Sequence, residues 1–495
     1  MRQHLRLALA TASAAALTGG LLTFSAATAT AAAPVAHPVA DFDGDGFGDV
    51  AYSAAVATVD GKVDAGRIVA LYGSPRGVTA ADRTTISQNT PGIPDSAEVG
   101  DGFGSVSAYG DFDGDGFDDL AVSASTEDTA GVRDTGTVTI VWGSPRGLSG
   151  GTALADPAPS PHGGWGKSLA AGDFDGDGTE DLAVGTASST VHVFGGGIAR
   201  SGRTGSYRTF KAPIRNEEFT GALDLAAGDV NGDRRADLIV SGIEPRGAWR
   251  HNVNFYVPGT PTGPSVASAR RLKPGLVSAV GDIDGDGYGY GDIVTGQHWD
   301  PTDDPDVLSA PDSVPGGKVN VTYGSATGPV TAATTEVSQD TGRVPGTSER
   351  GDGFGFEVSL GDIDGDGFQD LVVGTPDEDL SGVAEAGAVT VLRGSAAGLD
   401  TDSGVQYFTQ ATAGVPGTNE TYDGFGSEVK LTDVTGDGRA DLTVGRPGEN
   451  GGNGSVVQLL SDGTRITTAG VRTLAPSAVG VSTHGSPNFG GGAAD

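Results

Sequence analysis

The sequence predicts an all-β chain folded as a seven-bladed β-propeller with four-stranded blades. Three observations predict it: an acidic nonapeptide recurs seven times, an alternating apolar run follows each copy, and an aromatic-Gly pair precedes most of them. The 84 glycines in 495 residues mostly punctuate short apolar runs, a pattern of short strands joined by tight turns.

Complete copies of the nonapeptide begin at Asp41 (DFDGDGFGD), Asp111 (DFDGDGFDD), Asp173 (DFDGDGTED) and Asp362 (DIDGDGFQD). Looser copies begin at Asp229 (DVNGDRRAD), Asp282 (DIDGDGYGYGD) and Asp433 (DVTGDGRAD). Their spacing is irregular, as expected where loops absorb insertions between repeats. The apolar runs begin at Gly66, Gly136, Ser189, Asn252, Gly317, Gly387 and Gly454, and their period-two alternation reads as a half-buried strand. The aromatic pairs are Phe103-Gly104, Trp165-Gly166, Phe354-Gly355 and Phe425-Gly426, with a blurred version at Phe219-Thr220-Gly221. Each unit is then a strand, an acidic loop, a second strand, a turn, a third strand and a fourth. One such sheet cannot bury both faces, whereas seven packed radially can. Phe489-Gly490 is an orphan pair with no acidic loop after it, and the loop at Asp41 has no pair before it. The C-terminal segment is therefore expected to pair with the N-terminal strand and close the ring within one blade.

The N-terminus reads as a signal peptide over residues 1–33. Arg2 and Arg6 supply the positive region, Leu7 to Leu22 the apolar core, and small residues near Ala29 and Ala31 the cleavage site. Residues 34–495 then form a secreted propeller. The chain contains no cysteine, so no disulfide can staple it. A net charge of −34 disfavours nucleic acid and anionic membrane surfaces, and no later apolar run is long enough to span a bilayer. A monomer is expected, with an extracellular protein or glycan as its partner.

The acidic loops have the chemistry of calcium sites. Acids at positions 1, 3 and 5 turn carboxylates into one concavity when the backbone curls, and glycines at positions 4 and 6 permit the curl. Position 7 offers a backbone carbonyl and position 9 a closing carboxylate. An all-oxygen, highly charged cage suits Ca²⁺. The complete sites are Asp41, Asp43, Asp45, Phe47 and Asp49; Asp111, Asp113, Asp115, Phe117 and Asp119; Asp173, Asp175, Asp177, Thr179 and Asp181; and Asp362, Asp364, Asp366, Phe368 and Asp370. Three degenerate sites follow the same pattern. They are Asp229, Asn231, Asp233, Arg235 and Asp237; Asp282, Asp284, Asp286, Tyr288 and, after a two-residue insertion, Asp292; and Asp433, Thr435, Asp437, Arg439 and Asp441. Arg234 stands where the fourth copy needs a glycine and is expected to disturb its curl. No glutamate occupies position 12, which excludes an EF-hand. Calcium is expected to stabilise the scaffold.

The stretches DGFGSVSAYGDFDGDGFDDLAV from Asp101, DGFGFEVSLGDIDGDGFQDLVVGTP from Asp352 and DGFGSEVKLTDVTGDGRADLTVGRP from Asp423 resemble the FG-GAP repeat of the integrin α-subunit propeller and related bacterial repeats of secreted proteins. The resemblance covers the whole mature chain. It implies a seven-bladed propeller with calcium in inter-strand loops and a ligand-binding or adhesive role on one face.

On this basis the expected function is a non-enzymatic extracellular binding or adhesion module. The alternatives are a structural cell-envelope protein and a secreted hydrolase without a recognisable catalytic motif. No H-E-x-x-H motif occurs, and the histidines are few and scattered, His192 alternating within a strand. No catalytic residue is assigned. The loops that vary most between units, Glu244 to His251 and His298 to Pro315, are the expected binding surface.

Overall fold

The computed structural model describes residues 39–129, 131–159, 163–216, 220–286 and 289–495. The expected signal peptide, Phe219 and Tyr288 lie outside them. Seven antiparallel sheets follow one another along the chain, six of four strands and the first of three. The second blade shows the pattern: Ser107–Gly110, Asp119–Ala124, Thr137–Trp142 and Ser149–Ala153, each paired with the next. The first strands of the second to seventh blades lie side by side around the centre. The fourth strands form the rim, where Tyr207–Lys211 is largely exposed.

Second and third strands are buried on both faces. Asp237–Ile243 and Ala388–Leu392 show no exposed position, although period-two alternation suggests one solvated face. Neighbouring blades cover both faces of each sheet, so the alternating polar residues are enclosed too, among them Asn254, Asn320 and Thr390. The apolar core accordingly lies between blades. One cluster joins Ala51 and Ile68 of the first blade to Phe103, Leu120 and Val122 of the second.

The aromatic-Gly pair makes that junction. Phe103, Trp165, Phe354, Phe425 and Phe489 are all at most 1% exposed. Each lays its backbone against the glycine that opens the third strand of the preceding blade. A Cβ on Gly66 would stand 2.2 Å from the Phe103 carbonyl oxygen, and one on Gly387 2.3 Å from that of Phe425. Gly66 and Gly387 also have φ of 88° and 82°, so both space and conformation require glycine there.

The ring closes inside the first blade. Its three strands are Val50–Ala54, Arg67–Leu71 and Arg83–Ile86, and the C-terminal segment pairs with Val50–Ala54. Ala493 bridges Tyr52 antiparallel. Ser53 N–H donates to Gly492 O at 2.8 Å, and Ala494 N–H to Ala51 O at 3.0 Å. Ala40, just ahead of the first acidic loop, accepts from Asp49 N–H at 2.7 Å. The innermost strand is thus divided between the two ends of the chain, which is how an overlap of N- and C-terminal registers is avoided.

Candidate metal centres

Each acidic loop is the turn from the first strand of a blade to its second. The first loop shows its construction. Asp41 Oδ1 accepts from Gly44 N–H at 2.7 Å and Asp45 N–H at 3.1 Å, and its Oδ2 from Gly46 N–H at 3.0 Å. Asp43 Oδ1 accepts from Asp45 N–H and Asp45 Oδ1 from Phe47 N–H. Gly44 and Gly46 take φ of 71° and 86°, which produces the curl. Asp111, Asp173 and Asp362 accept from positions 4 and 6 of their loops in the same way.

Among the described residues, carboxylate oxygens converge within 4.8 Å in five loops: Asp41, Asp43 and Asp45; Asp111, Asp113 and Asp115; Asp173, Asp175 and Asp181; Asp282, Asp284 and Asp286; Asp362, Asp364 and Asp370. Burial and neighbouring carboxylates raise the pKa of Asp43, Asp175, Asp284 and Asp366. Asp284 Oδ1, Asp364 Oδ1 and Asp441 Oδ2 are buried with no hydrogen-bond partner. Crowded carboxylates with orphaned oxygens fit a hard cation with oxygen ligands.

Position 9 has a role beyond closing a cage. Asp49 Oδ2 accepts from Phe42 N–H and its Oδ1 from Gly73 N–H, both at 2.8 Å, tying the acidic loop to the turn after the third strand. Asp119, Asp181, Asp237, Asp292 and Asp370 make the equivalent pair of bonds, and Asp441 accepts from Ser461 N–H. Burial pushes Asp49 and Asp119 up to about 8 and Asp292 up to about 7. Asp292, displaced by the insertion, makes the same pair of bonds as Asp49, Asp119, Asp181, Asp237 and Asp370.

In the degenerate copies at Asp229 and Asp433 the chain supplies its own cation. Arg235 Nη2 lies 2.6 Å from Asp233 Oδ2, and Arg439 Nη1 3.4 Å from Asp437 Oδ2. Thr435 Oγ1 donates to Asp433 Oδ1, and Asn231 Oδ1 accepts from Asp233 N–H. Arg234 does not break the curl: it takes φ of 66° and donates its N–H to Asp229 Oδ2 at 2.7 Å, at a conformational cost of about 1–2 kcal/mol. Arginines also reach two of the complete loops. Arg200 pairs with Asp113 and Asp115, and Arg393 with Asp364 and Asp370.

The loops are linked around the ring. Gly48 N–H donates to Asp433 O, Asp118 to Asp41, Ala236 to Asp173, Gly291 to Asp229, Gln369 to Asp282 and Ala440 to Asp362, at 2.7–3.1 Å. The residue before position 9 thus holds the carbonyl of position 1 in the previous blade, a relationship that the repeat pattern alone does not reveal.

The two variable loops come together. His251 bridges Ser309, Arg250 N–H donates to Pro305 O at 2.9 Å, and Trp249 stacks on His251 while remaining 37% exposed. His192 is buried in its strand. Among the described residues no helix is long and apolar enough to cross a membrane.

Comparison with known proteins agrees with this geometry and corrects one expectation. A family model described as FG-GAP repeat matches residues 354–392 and 425–457, and one described as FG-GAP-like repeat matches residues 111–184. Phosphatidylinositol-glycan-specific phospholipase D of Rattus norvegicus is 29% identical over 233 residues, covering 47% of this chain and 26% of the relative. The Mus musculus protein of that name gives the same figures. Integrin alpha-PS2 of Drosophila melanogaster is 36% identical over 168 residues, covering 31% of this chain and 11% of the relative. The chain thus spans about a quarter of the phospholipases it matches. The expectation of a non-enzymatic module is overturned by these relatives, which are named as enzymes and point towards a hydrolase. The sequence motifs do not reveal this, because they are those of propeller repeats. The chain carries FG-GAP repeats on a seven-bladed β-propeller.

Proposed function

We propose that this chain is the calcium-held propeller of a secreted hydrolase that cleaves phosphodiester bonds in glycan-linked inositol phospholipids. The observation that carries this reading is the similarity of nearly half the chain to relatives named phosphatidylinositol-glycan-specific phospholipase D. Export rests on the signal-like residues 1–33.

In this reading the acidic loops hold calcium through the side chains at positions 1, 3, 5 and 9 and the carbonyl at position 7. The convergent carboxylates and their orphaned oxygens support it. Bound calcium would neutralise the acidic cluster and lock the turn, which suits an exported chain without cysteine.

Phosphodiester hydrolysis needs a proton donor or acceptor near neutrality and a positive charge for the phosphate. The start of the inner strands supplies candidates, at the end opposite the acidic loops. Glu428 begins the first strand of the seventh blade, Asp224 that of the fourth, and Glu357 directly precedes that of the sixth. Burial, then Asp495, pushes Glu428 up to about 8. Burial, then Glu428, raises Glu357. Lys430 Nζ lies 2.9 Å from Asp495 Oδ1 and 5.8 Å from the Tyr109 ring centroid. We assign acid–base chemistry to Glu428 and Glu357, and phosphate attraction to Lys430.

The experiment is release of a phosphatidylinositol-glycan-anchored reporter from vesicles by the purified calcium-loaded chain. Turnover that falls about 10²-fold or more in Glu428→Gln is the expected result. No release by the unaltered chain would contradict the reading.

A further inference from the structure

We propose that two junctions between blades hold divalent cations at sites separate from the acidic loops: one at Gln88, Asp101 and Glu127, the other at Gln339, Asp352 and Glu378. Both lie at the end of the propeller opposite the acidic loops, because the DGFG element that supplies the Asp precedes the first strand and the acidic loop follows it.

Among the described residues the constellation occurs three times, with Gln410, Asp423 and Glu449 as the third copy. Gln Nε2 donates to Glu Oε2 at 2.5, 2.6 and 2.7 Å, between residues 39 apart in every copy. Asp Oδ2 accepts the N–H of the residue three before it, Glu98, Glu349 or Glu420. All nine residues of the three copies are at most 9% exposed. Gln88, Gln339 and Gln410 are 3%, 3% and 2% exposed, and in each the amide Oε1 is buried with no hydrogen-bond partner. The oxygen and nitrogen of an amide are nearly alike in shape. A half-turn of each Gln head would present that orphaned oxygen to a cation shared with the Glu.

The third copy shows what the position accepts. Arg446, itself 3% exposed, places Nη1 2.9 Å from Glu449 Oε2, and Glu449, Asp423 and Glu420 all act on its charge. Arg446 is the last residue of the six-residue second strand of its blade. The residues at that register in the other two copies are Ala124 and Thr375. Among the described residues no ion pair involves Asp101, Glu127, Asp352 or Glu378. Two copies therefore enclose a pair of acids with no cation from the chain where the third has a guanidinium. Buried carboxylates are retained where a counter-charge is present, and a carboxylate pair with an amide oxygen is a hard, all-oxygen donor set of the kind Ca²⁺ takes.

The test is calcium stoichiometry by equilibrium dialysis on the full chain. Glu127→Gln and Glu378→Gln should each lower the bound calcium by one per molecule. Thr375→Arg copies an arrangement that the seventh blade already has, and it should also lower the count by one. Arg446→Thr should raise it by one. A count left unchanged by both Glu127→Gln and Thr375→Arg would overturn the proposal, whatever the acidic loops bind, since none of these substitutions touches them.

Discussion

The rings of Tyr52 and Phe489 meet edge to face at 6.4 Å, with an interplanar angle of 75°. Tyr52 belongs to the first strand along the chain and Phe489 to its last segment, and both are fully buried. Their contact, together with the bridge from Tyr52 to Ala493, holds the ring shut. Phe489→Ala should therefore cost about 3–5 kcal/mol. Removing residues 485–495 should lower the melting temperature further, because the first blade loses its innermost strand. Denaturant unfolding monitored by tryptophan fluorescence checks both, and an unchanged midpoint would show that closure lies elsewhere.

Positions 3 and 9 of an acidic loop should separate in their effects. In chelator, Asp49→Ala strands the Phe42 and Gly73 N–H groups, at about 1–3 kcal/mol each. Asp43→Asn keeps an acceptor for Asp45 N–H and should change stability in chelator by less than about 0.5 kcal/mol, while weakening calcium binding. Unfolding curves with and without calcium distinguish the two.

The repeats and the loops were legible in the sequence because both depend on local spacing. Asp41, Asp43 and Asp45 converge through the backbone curl of one short segment, and the alternation in GAVTVL from Gly387 marks a strand wherever it is read. The bonds that join segments were not legible. Nothing near Asp49 in sequence announces Gly73 as its partner, and Glu378 lies on a different loop from Gln339 and Asp352. Arg234 takes the left-handed conformation that the fourth loop needs, against the expectation of a disturbed curl. The relation to an enzyme was invisible because nothing in the repeat motifs themselves announces one.

Protonation at the centre should shape the pH dependence. Burial raises Glu428, which is 7% exposed, and also Asp224, which is half-buried. Glu428 is pushed up to about 8 and Asp224 up to about 7. The folded state then holds more protons than the unfolded state between about pH 4 and 8, so stability from these groups is present at low pH and is lost as pH rises through that window. Glu428→Gln should flatten this slope and raise the melting temperature at pH 8, even as it removes turnover. A slope that the substitution leaves unaltered would assign the pH dependence to other groups.

Chelation should destabilise the unaltered chain in proportion to the number of occupied loops. Each site adds about 2.7 kcal/mol when free calcium is a hundredfold above its Kd. The loops at Asp229 and Asp433, where Arg235 and Arg439 sit on a carboxylate, should release calcium first in a chelator titration followed by calorimetry.

The most direct measurement is anomalous diffraction from crystals grown in calcium. Peaks should appear inside the loops that begin at Asp41, Asp111, Asp173 and Asp362, with Arg200 and Arg393 displaced from their carboxylates. Loops without peaks, with Arg200 still on Asp113 and Arg393 still on Asp370, would contradict calcium as the staple of this propeller.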